Sequence, residues 1–210
     1  MIINLHNIKL VIMKKFILLM LAFVSFQQMN AQQVKGDFTI QPKVGLNIVS
    51  WRGDSHQQNR YARLCLGVEG QYAITNKIGI SVGLMYSQQG NKSMLFVSPQ
   101  SDDFELYPFK FKMDYFNIPI LFNYYLFKGL AVKVGIQPGF KIYDNLSSSM
   151  TPKSFDLSIP VGLSYEYKNI CLDARYNYGL IDNYDLTNYE KGYDQKNSVF
   201  QFTLGYKFKL

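Results

Sequence analysis

A chain of 210 residues with 48% hydrophobic residues has room for one domain and a sizeable core. Its net charge of +7 falls to +4 once Lys9, Lys14 and Lys15 of an N-terminal leader are set aside, and no basic cluster of the kind nucleic acid requires is left. Tyrosine and phenylalanine, at 16 each, are unusually abundant, and the aromatic girdles of a membrane-embedded protein use such residues.

The first element in chain order is a leader. From Met13 the sequence runs Lys14-Lys15, an apolar stretch from Phe16 to Phe26, and a polar tail ending at Ala31 before Gln32. A basic head, an apolar core of about 7–15 residues and a small residue at the cut describe a secretory signal peptide. The apolar run is shorter than the roughly 20 residues of a transmembrane helix. Residues 1–31 are therefore expected to comprise an over-extended start and the signal peptide, with Met13 the initiator and 32–210 the folded domain. Met29, three residues before the cut, is not small, and no cysteine follows the cut to mark a lipoprotein.

Eight segments of period-two alternation follow. The first, Phe38 to Ser50, sets Ile40, Val44, Leu46 and Ile48 on one face. Tyr61 to Ile74 sets Leu64, Leu66, Val68, Tyr72 and Ile74 against Arg63, Cys65, Gly67, Glu69 and Gln71. After Thr75-Asn76-Lys77 comes Ile78 to Gly90, with Ile80, Val82, Leu84 and Tyr86 outward. The fourth, Met113 to Leu126, turns Phe116, Ile118, Ile120, Phe122 and Tyr124 outward. Across Phe127-Lys128, Gly129 to Tyr143 alternates Leu130, Val132, Val134, Ile136 and Phe140 with Lys133, Gly135, Gln137 and Gly139. Phe155 to Tyr167 shows Leu157, Ile159, Val161, Leu163 and Tyr165. The hairpin Lys168-Asn169 leads to Ile170 to Leu180, with Leu172, Ala174, Tyr176 and Tyr178 set against Asp173, Arg175, Asn177 and Gly179.

The eighth segment ends the chain. Phe200, Phe202, Leu204, Tyr206, Phe208 and Leu210 share one face, and Gln201, Thr203, Gly205, Lys207 and Lys209 the other. Its last residues match the terminal pattern by which outer-membrane assembly machinery captures a closing strand. At roughly 3.3 Å per residue and a tilt near 45°, each segment can cross an apolar band of about 25 Å. Short and long connections alternate, the long ones at Trp51 to Arg60, Asn91 to Lys112, Asp144 to Ser154 and Ile181 to Lys196. The expected fold is thus all-β: an eight-stranded antiparallel up-and-down transmembrane barrel with its short turns in the periplasm. A soluble barrel would need the reverse polarity, apolar inside and charged outside.

Several stretches resemble the PorT-like outer-membrane β-barrel family of Bacteroidetes. They are Tyr86-Ser87-Gln88-Gln89-Gly90, Tyr115-Phe116-Asn117-Ile118-Pro119-Ile120-Leu121, Gly135-Ile136-Gln137-Pro138-Gly139, and Asp173-Ala174-Arg175-Tyr176-Asn177-Tyr178-Gly179-Leu180. The resemblance covers nearly the whole mature chain. It implies an eight-stranded barrel in the cell outer membrane and, through PorT itself, a link to protein secretion. It implies no reaction.

The residues suggest little chemistry. Asp54-Ser55-His56 is the one triad-like set, but neighbours on one loop rarely face each other, and general-base work needs an oriented histidine. Arg52-Gly53-Asp54 is read as a chance tripeptide, and Asp182 to Asp194 as a solvated acidic loop. No catalytic, cofactor-binding or metal-ligating residue is assigned, and no cofactor is implied. The expected function is a non-enzymatic outer-membrane barrel serving structure, adhesion or secretion. The alternative is an outer-membrane lipid-modifying enzyme built around His56. Expected partners are outer-membrane lipid, the barrel-assembly machinery through the C-terminal strand, and secretion-apparatus proteins.

Two expectations concern the interior. Lys43, Glu69, Lys133, Asp173, Arg175 and Lys207 all face inward and should form one salt-bridge network with Arg175 as hub, because a guanidinium fork can engage two carboxylates. Cys65 and Cys171 should lie at different heights and stay unpaired, since a disulfide needs Cα atoms within about 7 Å. Deleting Phe208 to Leu210 should lower the yield of assembled, heat-modifiable barrel while leaving export intact. Unchanged assembly of that truncation would show the ending to be incidental.

Overall fold

The computed structural model describes residues 33–53, 60–97, 105–145, 153–182 and 195–210. The expected leader and parts of all four long connections, Asp54, Ser55 and His56 among them, lie outside the described residues. Ten strands follow in chain order: β1 (Phe38–Gly53), β2 (Tyr61–Ala73), β3 (Ile78–Val97), β4 (Glu105–Asn117), β5 (Ile120–Phe127), β6 (Leu130–Asp144), β7 (Phe155–Tyr167), β8 (Ile170–Asp182), β9 (Gln195–Tyr206) and β10 (Phe208–Lys209). All pairings are antiparallel between neighbours. The sheet closes on itself because Val44 of β1 is opposite both Leu66 of β2 and Leu204 of β9. β4 and β5 form one stave, as do β9 and β10, so the wall is the expected closed barrel of eight staves.

Both interruptions have local causes. Pro119 lacks an N–H and cannot donate to a ladder. The fourth stave breaks there, yet stays bound: Gly83 N donates to the Pro119 carbonyl at 2.9 Å, and Ile118 N to the Pro138 carbonyl at 2.8 Å. At the end of the chain, Lys207 N leaves the ladder and donates to the Asn169 carbonyl at 2.7 Å, while Asn169 Nδ2 donates back to the Lys207 carbonyl at 2.8 Å. β10 then resumes against β1, with Phe208 opposite Ile40.

The outward rows are those the alternation indicates. Val44, Leu46, Leu64, Leu66, Val82, Leu84, Ile136, Leu163, Leu172 and Phe202 are all exposed, and their alternate neighbours are covered. In water such a surface would drive association; in a bilayer it is the solvated face.

Several boundaries differ from the alternation, with β1 running on to Gly53 and β8 to Asp182. β3 and β4 remain paired from Asn91 opposite Phe111 to Val97 opposite Glu105, where a long loop was expected. Beyond the apolar band neither face of a hairpin needs lipid, so the period-two signal vanishes while the backbone ladder persists. For the same reason β9 starts at Gln195, within the connection expected to run to Lys196. The turn after β5 falls at Lys128-Gly129, one residue later than read, because the left-handed φ of +82° at Gly129 favours glycine.

Short turns at Ile74–Lys77, Lys128-Gly129 and Lys168-Asn169 mark one end, the periplasmic end by the usual rule for such barrels. The segment just before β1 is fastened there. Gln33 Nε2 donates to the Thr75 and Ile78 carbonyls at 2.7 and 2.9 Å, and Gly36 N donates to the Ala73 carbonyl at 2.8 Å. A hydrogen bond from Lys209 holds the Asp37 carboxyl below its ordinary range, against a smaller opposing effect of burial.

The inward glycines let the staves approach. A Cβ on Gly45 would lie 1.9 Å from the Phe202 carbonyl oxygen, and one on Gly135 would lie 1.9 Å from that of Ile120. No side chain fits without moving a neighbouring strand. Gly70 is different: its nearest neighbour would be the Phe38 ring at 3.5 Å. Gly45→Ala and Gly135→Ala should therefore reduce the assembled fraction, read as the mobility difference between unboiled and boiled samples, while Gly70→Ala should not. Equal yields for all three would show that the wall tolerates the clash.

Candidate functional site: the charged lumen

Inward residues meet across a narrow bore, and five of them carry charge at mid-height. Lys43 comes from β1, Glu69 from β2, Lys133 from β6, and Asp173 and Arg175 from β8. Arg175 Nη2 lies 2.5 Å from Glu69 Oε2, and its Nε lies 2.6 Å from Asp173 Oδ1. The same Nη2 donates to Asp173 Oδ2 at 2.8 Å, completing the two-carboxylate fork. Lys133 Nζ is 3.1 Å from Glu69 Oε1 and 3.1 Å from Asp173 Oδ2. Lys43 Nζ sits 2.8 Å from Glu69 Oε2 and 3.9 Å from Asp173. Each of the five side chains is at most 2% exposed.

Small residues make the room. In register, Lys43 lies between Gly67 and Gly205, Glu69 beside Gly83, and both Lys133 and Arg175 beside Gly162. Large inward side chains thus stand next to positions with none, which is how an eight-stranded bore is filled.

Lys207 is not part of this cluster, contrary to the single network expected from parity. It lies one storey nearer the periplasm and pairs with Glu166. Tyr125 OH donates to Glu166 Oε1 at 2.7 Å, and Lys207 Nζ donates to Gln71 Oε1 at 3.0 Å. Gln71 Nε2 continues the chain to Gln33 Oε1 at 2.6 Å. Glu166 and Tyr125 were legible as inward residues, but Gln33 was not: it precedes every strand and carries no periodicity. Toward the outer end Trp51, Met113 and Tyr115 are buried together with Phe111 packed on them, beside buried Gln89, Asn91 and Asn197. The Trp51 and Phe111 ring centroids are 5.2 Å apart.

Cys65 and Cys171 are both free and fully buried. On β2, Cys65 precedes Glu69 on the outer side; on β8, Cys171 precedes Asp173 on the periplasmic side. The loop set Asp54, Ser55 and His56 lies outside the described residues, as do residues 183–194 of the acidic loop. Arg52, at the edge of that first loop, is held to the wall. Its guanidinium stacks 3.5 Å above the Tyr178 ring, and Nη2 donates to the Gly179 carbonyl at 3.0 Å. Both contacts commit the Arg52 side chain to the wall. Among the described residues, no group of three His, Cys, Asp or Glu side chains is placed to hold a metal ion.

The arrangement can brace and seal. Removing one member of a buried ion cluster typically destabilises by roughly 3–5 kcal/mol, because the remaining charges lose their compensation. Arg175→Ala should therefore lower the unfolding temperature of the detergent-solubilised barrel markedly, and Lys128→Ala at the rim should not. An unchanged transition in Arg175→Ala would show that the cluster carries no stability.

Residues 27–185 match the model of the outer membrane protein beta-barrel domain. The match spans more than half of the chain, which therefore belongs to that family and is an outer-membrane β-barrel protein. No curated protein sequence matches significantly. Among solved structures, the chain is similar to Ail, the attachment invasion locus protein of Yersinia pestis. That likeness has 15% identity and a TM-score of 0.49, over 83% of this chain and 100% of that one. Neisserial surface protein A is similar at 15% identity and a TM-score of 0.46, over 81% and 97% of the two chains. OprG from Pseudomonas aeruginosa is similar at 16% identity and a TM-score of 0.46, over 85% and 98%.

Proposed function

We propose that this member of the outer membrane protein beta-barrel domain family is a non-enzymatic pillar of the PorT-like kind found in Bacteroidetes. It holds its outer connections and the long β3–β4 hairpin at the cell surface, in service of protein secretion or adhesion. The observation that carries the reading is the filled lumen. Five charged side chains cross-link four strands at mid-height, a polar cluster lies at the periplasmic mouth, and a mixed cluster around Trp51, Met113 and Tyr115 lies toward the outer end. A bore so filled offers no water column for solutes, which leaves display and docking as the work of the molecule.

In this reading residues 1–31 are removed on export, the closing strand engages the barrel-assembly machinery, and secretion-apparatus proteins meet the outer hairpin. Purified protein in planar bilayers should show no steady conductance. A large open-channel current would overturn the pillar. Lipid A from cells carrying His56→Ala should have the same mass spectrum as lipid A from wild-type cells; an altered spectrum would favour the lipid-modifying enzyme instead.

A further inference from the structure

The wall is not zipped to its full height between β2 and β3. Their backbone pairing ends at Cys65 opposite Ser87, whereas β2 continues along β1 to Tyr61 and β3 continues along β4 to Val97. Above that point side chains bridge the gap. Leu64 N donates to Gln88 Oε1 at 3.3 Å, and Asn47 Nδ2 donates to Ser87 Oγ and to the Gln88 carbonyl at 2.9 and 3.0 Å. Tyr61 OH donates to the Phe111 carbonyl at 2.7 Å.

Arg63 passes through this seam. It belongs to the inward row of β2, yet its Nη2 lies 2.6 Å from Oδ1 of Asp114, which stands in the outward row of β4. Tyr86 OH donates to the other carboxylate oxygen at 2.6 Å. A bulge at Ile142 shifts β6 so that Tyr143 comes opposite Asp114. Between them opens a recess of about 430 Å³, lined by Leu46, Arg63, Leu64, Lys112, Asp114 and Tyr143.

Charge and polarity define what fits. Arg63 and Asp114 cancel, and nearby Lys141 is paired with Asp144 at 2.9 Å. Lys112 is exposed and makes no ion pair among the described residues, so the recess is positive. The Arg63 side chain is only 10% exposed, and its Nε is buried without a hydrogen-bond partner. Directly beside these cations, Leu46 and Leu64 are 52% and 41% exposed on the lipid-facing wall. Guanidinium and ammonium groups above an apolar strip suit an amphipath with an anionic head, and a guanidinium fork matches phosphate as well as carboxylate oxygens.

We propose that this seam binds the phosphate-bearing headgroup of an outer-leaflet lipid. Lys112 and Arg63 hold the phosphate, and the start of an acyl chain lies over Leu46 and Leu64. The proposal rests on the membrane placement and not on the secretion or adhesion role. The barrel would thereby carry a fixed lipid at the foot of its long hairpin.

The test uses the full-length mature protein reconstituted into phosphatidylcholine vesicles containing a minor fraction of phosphatidylglycerol, then released in mild detergent and weighed by native mass spectrometry. Wild type and the rim control Lys128→Gln should both retain phosphatidylglycerol in preference to phosphatidylcholine. Retention should fall about tenfold or more in Arg63→Gln/Lys112→Gln, as the loss of charge-assisted hydrogen bonds implies. Lys112→Gln alone, at an exposed position with no ion pair among the described residues, should show part of the loss and serves if the double variant assembles poorly. Excess inorganic phosphate should leave the lipid in place. Equal retention by wild type and the Lys112 variant would overturn the proposal, as would displacement by inorganic phosphate, which would mark a site for the free anion.

Discussion

Glu69 and Asp173 stand inside a bore too narrow to hydrate them, and much of the interior answers that constraint. An unpaired buried ion costs several kcal/mol, so each carboxylate must be met by cations with good geometry. Three arrive from three different staves: Lys43 from β1, Lys133 from β6 and Arg175 from β8. Lys133 reaches Glu69 from the far side of the barrel, so the contacts run across the bore as well as around it. Such bonds tie non-adjacent staves, which backbone ladders cannot do. They also place five charged side chains across the bore at mid-height.

Filling and curvature are solved by the same residues. Gly67, Gly83, Gly162 and Gly205 stand beside the charged side chains in register, which gives long lysines and an arginine the width to cross. Gly45 and Gly135 act on the wall itself, where a Cβ would collide with the next stave's backbone. A tight bend and a packed bore are thus two consequences of one inward row of alternating small and large residues. The outward row is free of this conflict, and its leucines, valines and isoleucines simply meet lipid.

The membrane-spanning part was legible in the sequence because lipid enforces a strict two-residue period on it. Parity alone placed Lys43, Glu69, Lys133, Asp173 and Arg175 inside, and the geometry of guanidinium singled out Arg175. Parity does not report height. Lys207 shares the inward row but lies one storey lower with Glu166, and only the register of the closed sheet separates the two clusters. Outside the bilayer the period disappears, which is why the extension of β3 and β4 read as loop. Two further features have no one-dimensional signature. Gln33 fastens the segment before β1 under the barrel, and the seam between β2 and β3 exists only because two pairings end at different heights.

The periplasmic polar cluster, the mid-height ion cluster and the outer cluster around Trp51 succeed one another along one bore, and two native thiols bracket the middle one. Cys65 lies on its outer side and Cys171 on its periplasmic side, both fully buried. Labelling these thiols with a small charged, membrane-impermeant reagent tests the sealed bore most directly. In the folded barrel both should remain unmodified over hours, and after thermal unfolding without reductant both should react. Rapid modification of either thiol in the folded state would mean that water and solutes reach the ion cluster, and the sealed, cross-braced interior would be contradicted.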